Sequence, residues 1–297
     1  MSAGRGRGSE RGDDRRRVPS SGGIPGIAGF PRCLLVLGLL LLPPPAAAQD
    51  LWPEPRREPT ADLEWVRPRI EGADLGTFAG FWRLTAAVPV DEKARLVVVV
   101  PYTVAEVEGS IAQDATTALG NIYVGAEIGS PGATLTGYLG AYLPTAAEDA
   151  GDPAVLGVLG DFDRLEAYLP NALAMRGGMQ YRRTDPGGVL YGFRFGGSGI
   201  APTGGGGGSA ELIIDYGLIF GVETARLRLA ATIDGRFGAT AGTGIPLEDL
   251  TVHQAGFEVV LLGWRVEPRL IVRVPMDEQL DGVGPMVGLG MTARLGS

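Results

Sequence analysis

The chain has 297 residues, of which 48 are Gly and 22 are Pro, and 45% of its residues are hydrophobic while only 20% are charged. This composition is too apolar for a disordered chain, and no apolar run reaches the ~18–20 residues of a membrane helix. One cysteine and one histidine exclude disulfide frameworks and Cys/His zinc sites, and we expect neither a metal nor a cofactor. The formal net charge of −8 argues against nucleic acid as a partner, since nucleic acid binds to basic faces.

Residues 1–48 have the three parts of a secretory signal, namely a basic segment, an apolar core and a small-residue cleavage site. Seven arginines precede residue 33, residues 33–42 form an uninterrupted apolar block, and three alanines at 46–48 follow a triple proline. A membrane anchor is the alternative, but the apolar block is too short to span a bilayer. We predict a signal peptide at 1–48, a Pro-rich N-terminal segment at 49–62 and one folded domain at 63–297.

From residue 76 onward, apolar residues recur at every second position in stretches of about ten. In residues 226–237, Leu227, Leu229 and Ile233 alternate with polar positions such as Arg228, so one face of a strand is apolar and the other is charged. Alternating segments of this length are typical of transmembrane β-barrels, whereas the strands of soluble sandwiches are usually nearer 5–6 residues. The other such segments are 77–88, 95–102, 121–128, 134–143, 173–183, 189–195, 211–220, 252–261, 265–274 and 285–295.

The connections between these segments alternate strictly between short and long, as in bacterial barrels with short periplasmic turns and long extracellular loops. Barrels of this class have an even number of strands, so a further strand has to precede the first, and residues 63–70 are the candidate. We therefore predict an all-β, antiparallel transmembrane barrel of about 12 strands (10–12). The long connection 144–172 is predicted to hold a short helix that caps the barrel mouth or enters it.

If the apolar faces meet lipid, the polar faces line the lumen. The candidate lumen-lining residues are Arg83, Arg95, Tyr123, Glu127, Tyr138, Tyr142, Arg176, Arg182, Arg194, Glu211, Asp215, Arg226, Arg228, Asp234, Arg236, Glu258, Arg265, Glu267, Arg269 and Arg273. These charges form either a selectivity wall along a solute path or a network of Arg–carboxylate pairs that fills the interior. The tyrosines among them either stack on a ring-containing solute or pack the wall.

Few residues suggest chemistry. His253 has the register of an outward-facing residue near a strand end, and the serines fall in loops or turns, so we expect no catalytic dyad and no enzyme. The acids of the long connection, Glu148, Asp149, Asp152, Asp161 and Asp163, are oxygen ligands for a hard cation, but their spacing lacks the EF-hand period. We expect a solvated acidic loop there.

Three short motifs occur in an order similar to one known barrel family. They are Leu-Val-Val-Val-Val-Pro-Tyr at 96–102, Leu-Gly-Asn-Ile-Tyr-Val-Gly-Ala at 119–126 and Leu-Gly-Ala-Tyr-Leu-Pro-Thr at 139–145. They resemble the phenol-degradation meta-pathway family of outer-membrane barrels, within the transporter/porin-like superfamily. Asn121 stands where that family usually has Asp, and Ala146 where it usually has Gly. The resemblance implies a route for small, often aromatic or hydrophobic, solutes across the outer membrane, and it brings no catalytic residues.

We therefore expect a monomeric barrel in the bacterial outer membrane, in contact with its lipid, that passes small solutes passively. Two alternatives stay open at this point. One is a non-conducting barrel that serves as a structural or surface anchor. The other is a secreted soluble β-protein that binds an apolar ligand.

Overall fold

The computed structural model describes residues 56, 58–73, 75–106, 116–204, 209–240, 251–280 and 282–296. The predicted signal peptide at 1–48 lies outside these described residues. The strands are β1 Thr60–Ile70, β2 Gly80–Pro89, β3 Ala94–Ala105, β4 Thr116–Leu119, β5 Ile122–Ile128, β6 Leu135–Leu143, β7 Ala172–Thr184, β8 Val189–Pro202, β9 Glu211–Glu223, β10 Leu227–Gly238, β11 Thr251–Leu261, β12 Val266–Pro275 and β13 Val283–Arg294.

The strands close into a barrel in which each strand runs antiparallel to its neighbours. β1 pairs with β2 on one side and with β13 on the other, from Thr60 opposite Arg294 to Ile70 opposite Val283. β4 and β5 both pair with β3 and together occupy one position of the barrel, interrupted at Gly120 and Asn121. The pairing of β1 with β13 closes the sheet on itself, while the short strand β4 pairs with β3 alone among the described strands. The predicted barrel of about 12 strands is confirmed, including the strand inferred at 63–70, although β1 begins at Thr60 within the predicted N-terminal segment.

Prolines explain two irregularities of the barrel wall. Proline cannot donate to a strand ladder and is therefore found at bulges and ladder ends. The register between β1 and β13 shifts between Arg67 and Arg69, on either side of Pro68. Pro101 lies between the part of β3 that pairs with β5 and the part that pairs with β4, and its carbonyl accepts a hydrogen bond from the Gly120 amide at 2.9 Å.

The connections sort by length onto the two ends of the barrel. The short ones, 90–93, 129–134, 185–188, 224–226 and 262–265, lie at one end, called here the turn end. The strand ends that are joined by the other connections, 71–79, 106–115, 144–171, 203–210, 239–250 and 276–282, lie at the opposite end, called the loop end. This is the predicted alternation, and 144–171 is much the longest connection.

The two faces of the wall are the reverse of those in a water-soluble protein. On β10, the side chains of Leu229 and Ile233 are 37% and 48% exposed, whereas those of Arg228 and Asp234 are 3% and 1% exposed. The same division holds around the barrel, since exposed Leu, Val, Ile, Met and Phe recur on nearly every strand. The wall is therefore apolar outside and ionic inside, as in membrane barrels. No helix among the described residues is long and apolar enough to cross a membrane.

The long connection 144–171 folds inward. It contains α1 (Gly151–Gly160) and a 3₁₀ segment (Phe162–Ala167), and residues 151–168 are called the plug. The rings of Phe162 and Tyr168 are buried. Tyr168 and buried apolar residues of the wall form one cluster, and Leu165 and Leu169 pack against this cluster. Of the two positions predicted for this loop, it takes the one inside the barrel.

Candidate functional site

The predicted lumen positions fall into three groups by exposure. Fourteen are buried in the barrel interior: Arg83, Arg95, Tyr123, Glu127, Tyr142, Arg176, Arg194, Asp215, Arg228, Asp234, Arg236, Glu267, Arg269 and Arg273. Three more, Tyr138, Arg182 and Glu258, are half-buried. The period of two that defines the faces of a strand thus brings a dense set of charges together inside the barrel.

The other three predicted positions are exposed and need correction. Arg226 and Arg265 lie in short connections at the turn end, and Glu211 is the first residue of β9 at the loop end. The parity of a strand fixes the face on which a side chain lies but not its depth along the barrel. Long side chains at the rim reach solvent whatever their parity.

Glu64 is a lumen residue that the sequence analysis missed. Its carboxylate lies 2.8 Å from a nitrogen of Arg83, 2.8 Å from one of Arg269 and 3.2 Å from one of Arg273. Asp62, two residues earlier on β1, is also fully buried and lies 3.4 Å from Arg269. The same period of two along β1 would have assigned both carboxylates to the lumen.

The acids of the long connection also differ from expectation. Glu148, Asp149 and Asp152 are exposed as predicted, but Asp161 and Asp163 are fully buried, and so is Glu166. The prediction of a solvated acidic loop is therefore wrong for the plug. Its carboxylates enter the lumen and bind arginines of the wall.

Glu166 makes the most compact of these contacts. Its carboxylate forms a two-pronged pair with Arg236, in which Nη1 donates to Oε2 at 3.1 Å and Nη2 donates to Oε1. Arg236 Nη1 also donates to the Phe162 carbonyl at 2.8 Å. Ser198 hydrogen-bonds the same carboxylate, and the prediction that the serines lie in loops or turns is wrong for it, because it lies within β8 and is fully buried. Burial alone would raise the pKa of Glu166, but Arg236 and Arg176 outweigh it and lower that pKa. The carboxylate therefore stays ionised inside the barrel.

Asp163 contacts two further arginines of the wall. Both terminal nitrogens of Arg194 donate to its carboxylate, one of them at 3.3 Å, and Arg176 donates to its backbone carbonyl at 2.9 Å. Burial would raise the pKa of Asp163, but the guanidinium groups of Arg194 and Arg176 hold it well below its usual range. Paired guanidinium–carboxylate contacts of this kind are among the stronger hydrogen bonds in proteins.

Asp161 is held less firmly. Its carboxylate lies 3.2 Å from Arg273, 3.5 Å from Arg83 and 3.3 Å from Arg164 of the plug itself. Burial raises the pKa of this carboxyl in spite of Arg273 and Arg83. Of the three plug carboxylates, the ionised form of Asp161 is the least stabilised.

Asn121 fastens the end of the plug to the wall. Its side-chain nitrogen donates to the carbonyls of Glu166 and Leu169 at 2.9 and 2.7 Å, and its side-chain oxygen accepts from the amide of Ala146 at 2.9 Å. The backbone N–H of Asn121 donates to the Ala167 carbonyl at 2.6 Å. An amide side chain both donates and accepts, which the Asp usual in the resembled family does not when it is ionised.

An apolar contact completes the docking of the plug. The Tyr168 ring packs edge-on against Phe81 of the wall, with 6.4 Å between ring centroids. A Cβ at Gly157 would lie 2.3 Å from the Tyr168 ring, and one at Gly160 would lie 2.7 Å from Phe81. These glycines allow α1 to lie directly against the two rings. Tyr123 and Tyr142, predicted to stack or to pack, pack on each other with ring centroids 5.0 Å apart in the same apolar cluster.

Wall and plug together form what we call the loop-side cluster. Its wall arginines are Arg83, Arg176, Arg194, Arg236 and Arg273, and its plug carboxylates are Asp161, Asp163 and Glu166. Three carboxylates of the wall also contact these arginines. Glu64 contacts Arg83 and Arg273, Asp215 lies 3.5 Å from Arg176, and Asp234 lies 3.0 Å from Arg194.

A second group of charges, the turn-side cluster, lies toward the other end and joins strand to strand. Its members are Arg95, Arg182, Arg228 and Arg269 with Asp62, Glu127, Glu223 and Glu258. Arg95 pairs with Glu127, Nε to Oε2 at 3.1 Å, and Arg182 pairs with Glu223 at 2.8 Å. Nearby, Glu267 accepts from Arg56 at 2.8 Å and from Arg294.

Two cavities lie among the described residues of the barrel. One of about 40 Å³ is lined by Arg182, Arg228, Gln254 and Glu258 among others, which is room for little more than ordered water. A larger one, about 560 Å³, opens at the turn end and is lined by Arg56, Arg95 and residues of the connections 90–93 and 129–134. The plug thus lies in the loop-end half of the lumen, and the larger cavity lies at the rim of the turn end.

A polar group lies on the outer face around His253. His253 Nδ1 lies 3.0 Å from an oxygen of Asp277, and its Nε2 lies 2.7 Å from the Tyr216 hydroxyl. His253 is half-buried, faces outward as predicted and contacts no serine among the described residues. Within the described ranges, no group of three or more His, Cys, Asp or Glu residues is arranged to hold a metal ion.

Comparison with known proteins identifies the fold. No protein-family model matches the chain, and no curated protein matches it significantly. Among solved structures, an outer membrane channel from Pseudomonas putida F1 matches with a TM-score of 0.55 and 11% identity, over 82% of this chain and 98% of that one. The NanC porin matches with a TM-score of 0.46 and 8% identity, over 79% and 100%. LpxR from Salmonella typhimurium matches with a TM-score of 0.42 and 12% identity, over 78% and 98%. The chain has the fold of an outer-membrane β-barrel.

Proposed function

We propose that the protein is a channel of the bacterial outer membrane through which small solutes pass passively, with no chemical step. The barrel would stand in the membrane as a monomer, with lipid against its apolar outer face. Its fold is that of an outer membrane channel, and a belt of exposed Leu, Val, Ile and Phe surrounds it. The soluble alternative would have to expose this belt to water, where patches of such size are rare in monomeric proteins.

One observation carries the proposal: the material that fills the loop-end half of the lumen belongs to a connection and not to the strands. Residues 151–168 lie between β6 and β7, so the plug can leave without breaking a hydrogen bond of the barrel ladder. Its attachments include the three carboxylate contacts, the hydrogen bonds of Arg236, Arg176 and Asn121 to its carbonyls, and the contact of Tyr168 with Phe81. A channel whose plug can leave the lumen accounts for both the barrel fold and the packed interior.

The solutes belong to the same proposal. We propose that they include aromatic or hydrophobic compounds, as membership of the phenol-degradation meta-pathway family would imply. The supporting features are the short motifs at 96–102, 119–126 and 139–145 and the tyrosine rings of the wall. Tyr142 belongs to the apolar cluster that Tyr168 of the plug covers, so it would face the lumen once the plug leaves.

Planar-bilayer recording tests the proposal. The wild-type barrel and a variant in which residues 151–168 are replaced by a short Gly-Ser linker are compared after purification in detergent. Both should run at a different gel mobility when unboiled, which reports a folded barrel. We expect small or brief openings from the wild type and a severalfold larger conductance from the variant. A folded variant that passes no ions would contradict the channel.

A non-conducting barrel is the second candidate, and the dense ion pairing of the lumen favours it. Twelve strands lie between the eight-stranded barrels filled by side chains and the open 16–18-stranded porins. In a sealed barrel, the pairs of the turn-side cluster would close the lumen even without the plug. The linker variant distinguishes the two, since a sealed barrel stays silent after the plug is removed.

A further inference from the structure

The loop-side cluster has an excess of positive charge on its wall. The five wall arginines of this cluster face three wall carboxylates, those of Glu64, Asp215 and Asp234. The plug adds three carboxylates and the guanidinium of Arg164, which brings the formal charge of these groups to zero. Buried charges are strongly disfavoured unless they are paired. The wall is therefore complete only when carboxylates from outside the strands bind to it.

Arg236 shows this dependence most clearly. Its only carboxylate partner among the described residues is Glu166 of the plug, while Ser198 of β8 lies 3.5 Å from its Nη2. Arg194 and Arg176 together bind Asp163, and Arg83 and Arg273 together bind Asp161. The wall thus presents three places for a carboxylate, each at one or two arginines.

An apolar surface lies beside these places. The recess that receives Tyr168 and Leu165 is formed by Phe81 and Tyr142 with the other apolar residues of the same cluster. Arg273 also lies over the Phe81 ring, 5.9 Å from its centroid. The plug therefore offers to the wall a carboxylate next to an apolar ring, and the wall is shaped for both.

We propose that the solute is a small organic anion, a carboxylate on an apolar body, which binds to the wall arginines in place of the plug carboxylates. This inference rests on the proposed channel function and names its substrate class. The anion takes the place of Glu166 at Arg236 or of Asp163 at Arg194 and Arg176, while its apolar body takes the recess of Tyr168. Exchange of one carboxylate for another keeps the buried guanidinium groups paired while the plug moves aside.

Charge selection follows from this exchange. A neutral solute of the same shape fills the apolar recess but brings no negative charge to replace that of the plug carboxylates. A cationic solute adds a further positive charge to a wall that already has two in excess once the plug has left. Bidentate arginine contacts favour carboxylates over simple halide ions as well, because two N–H groups meet two oxygens.

Liposome swelling with three probes of equal size tests the inference. Benzoate, benzyl alcohol and benzylamine share one ring and differ in charge. Swelling rates are corrected with protein-free liposomes, because benzyl alcohol crosses lipid on its own. Through both the wild type and the linker variant, benzoate should pass severalfold faster than benzyl alcohol, and benzylamine slowest. In the linker variant, which has no plug to release, Arg236→Gln should reduce benzoate passage while leaving that of benzyl alcohol unchanged, and Arg236→Lys, which keeps the charge, should restore most of it.

The outcomes separate the two claims. Passage of all three probes at equal corrected rates would overturn the anion and leave the channel in place. No passage of any probe through either barrel would overturn the channel itself. Asp152→Asn is the matched control, since Asp152 is an exposed acid of the same plug and its neutralisation should leave all rates unchanged. The probe comparison on wild type needs no variant, so it stands even where Arg236→Gln fails to fold.

Discussion

The two halves of the lumen contain the same kinds of side chain but are built differently. In the turn-side cluster, each arginine pairs with a carboxylate on another strand, as Arg95 does with Glu127. In the loop-side cluster, the wall arginines also pair with carboxylates of a connection, as Arg236 does with Glu166. Strand positions are fixed by the backbone ladder, whereas a connection can leave. Arginine–carboxylate pairs thus join strand to strand permanently in the turn-end half, and they hold a removable plug in the loop-end half.

Among the single substitutions, Glu166→Gln is expected to have the largest effect on the open probability of the channel. The change leaves the Arg236 guanidinium buried without its carboxylate, and breaking a buried ion pair typically costs about 3–5 kcal/mol. That cost falls on the docked plug alone, so the undocked form gains in population. Single-channel recording should show a large rise in open probability. An open probability equal to that of Asp152→Asn would mean that Glu166 does not hold the plug.

The same change in the other half should behave differently. Glu127→Gln removes the carboxylate that pairs with Arg95, which is buried at the turn end. Breaking this buried ion pair again costs about 3–5 kcal/mol. Here it lowers the stability of the barrel and not the docking of a loop. We expect the unboiled gel mobility to be lost at a lower temperature, with conductance unchanged. A conductance rise matching that of Glu166→Gln would remove the distinction between the halves.

A smaller effect is expected from Asn121→Asp. The carboxylate keeps the ability to accept from Ala146 but cannot donate to the carbonyls of Glu166 and Leu169. Leaving buried carbonyls unpaired costs about 1–3 kcal/mol. Open probability should rise, but less than in Glu166→Gln. Asn121→Ser, which keeps a donor, serves as the comparison and should lie between wild type and Asn121→Asp.

The smallest effect is expected from Asp161→Asn. Burial raises the pKa of this carboxyl in spite of Arg273 and Arg83, so the docked plug gains little from its ionised form. A neutral side chain of the same shape should therefore change open probability only slightly. Recordings of Glu166→Gln, Asn121→Asp and Asp161→Asn, taken side by side, check the order. An effect of Asp161→Asn equal to that of Glu166→Gln would show that these two carboxylates hold the plug alike.

The sequence could predict the barrel because its wall repeats a simple rule. The alternation of Leu229 with Arg228 and Ala230, repeated over many segments, fixes both the strands and the face that each side chain occupies. The even strand number then located β1, for which no single residue is distinctive. Depth along the barrel has no such period, which is why Arg226 and Arg265 were placed inside.

The plug could be foreseen only in part. A short helix in 144–172 and its entry into the lumen were among the possibilities, but Asp161, Asp163 and Glu166 resemble any acidic loop residues. Nothing in their spacing tells that they meet Arg236, Arg194 and Arg83, which are brought together by closure of the barrel. The excess of arginine over acid on the wall was the one available signal, because buried arginines require carboxylates from somewhere.

Thiol labelling at Ser198 tests the exchangeable closure most directly. Ser198 is fully buried beside Arg236 and Glu166, and the predicted removal of residues 1–48 would leave Ser198→Cys as the sole thiol of the mature chain. The reagent is an anionic, membrane-impermeant methanethiosulfonate. Labelling should be slow in Ser198→Cys alone, severalfold faster with Glu166→Gln or with added benzoate, and unchanged with Glu127→Gln. Equal labelling rates in all four samples would contradict a plug held by its carboxylates.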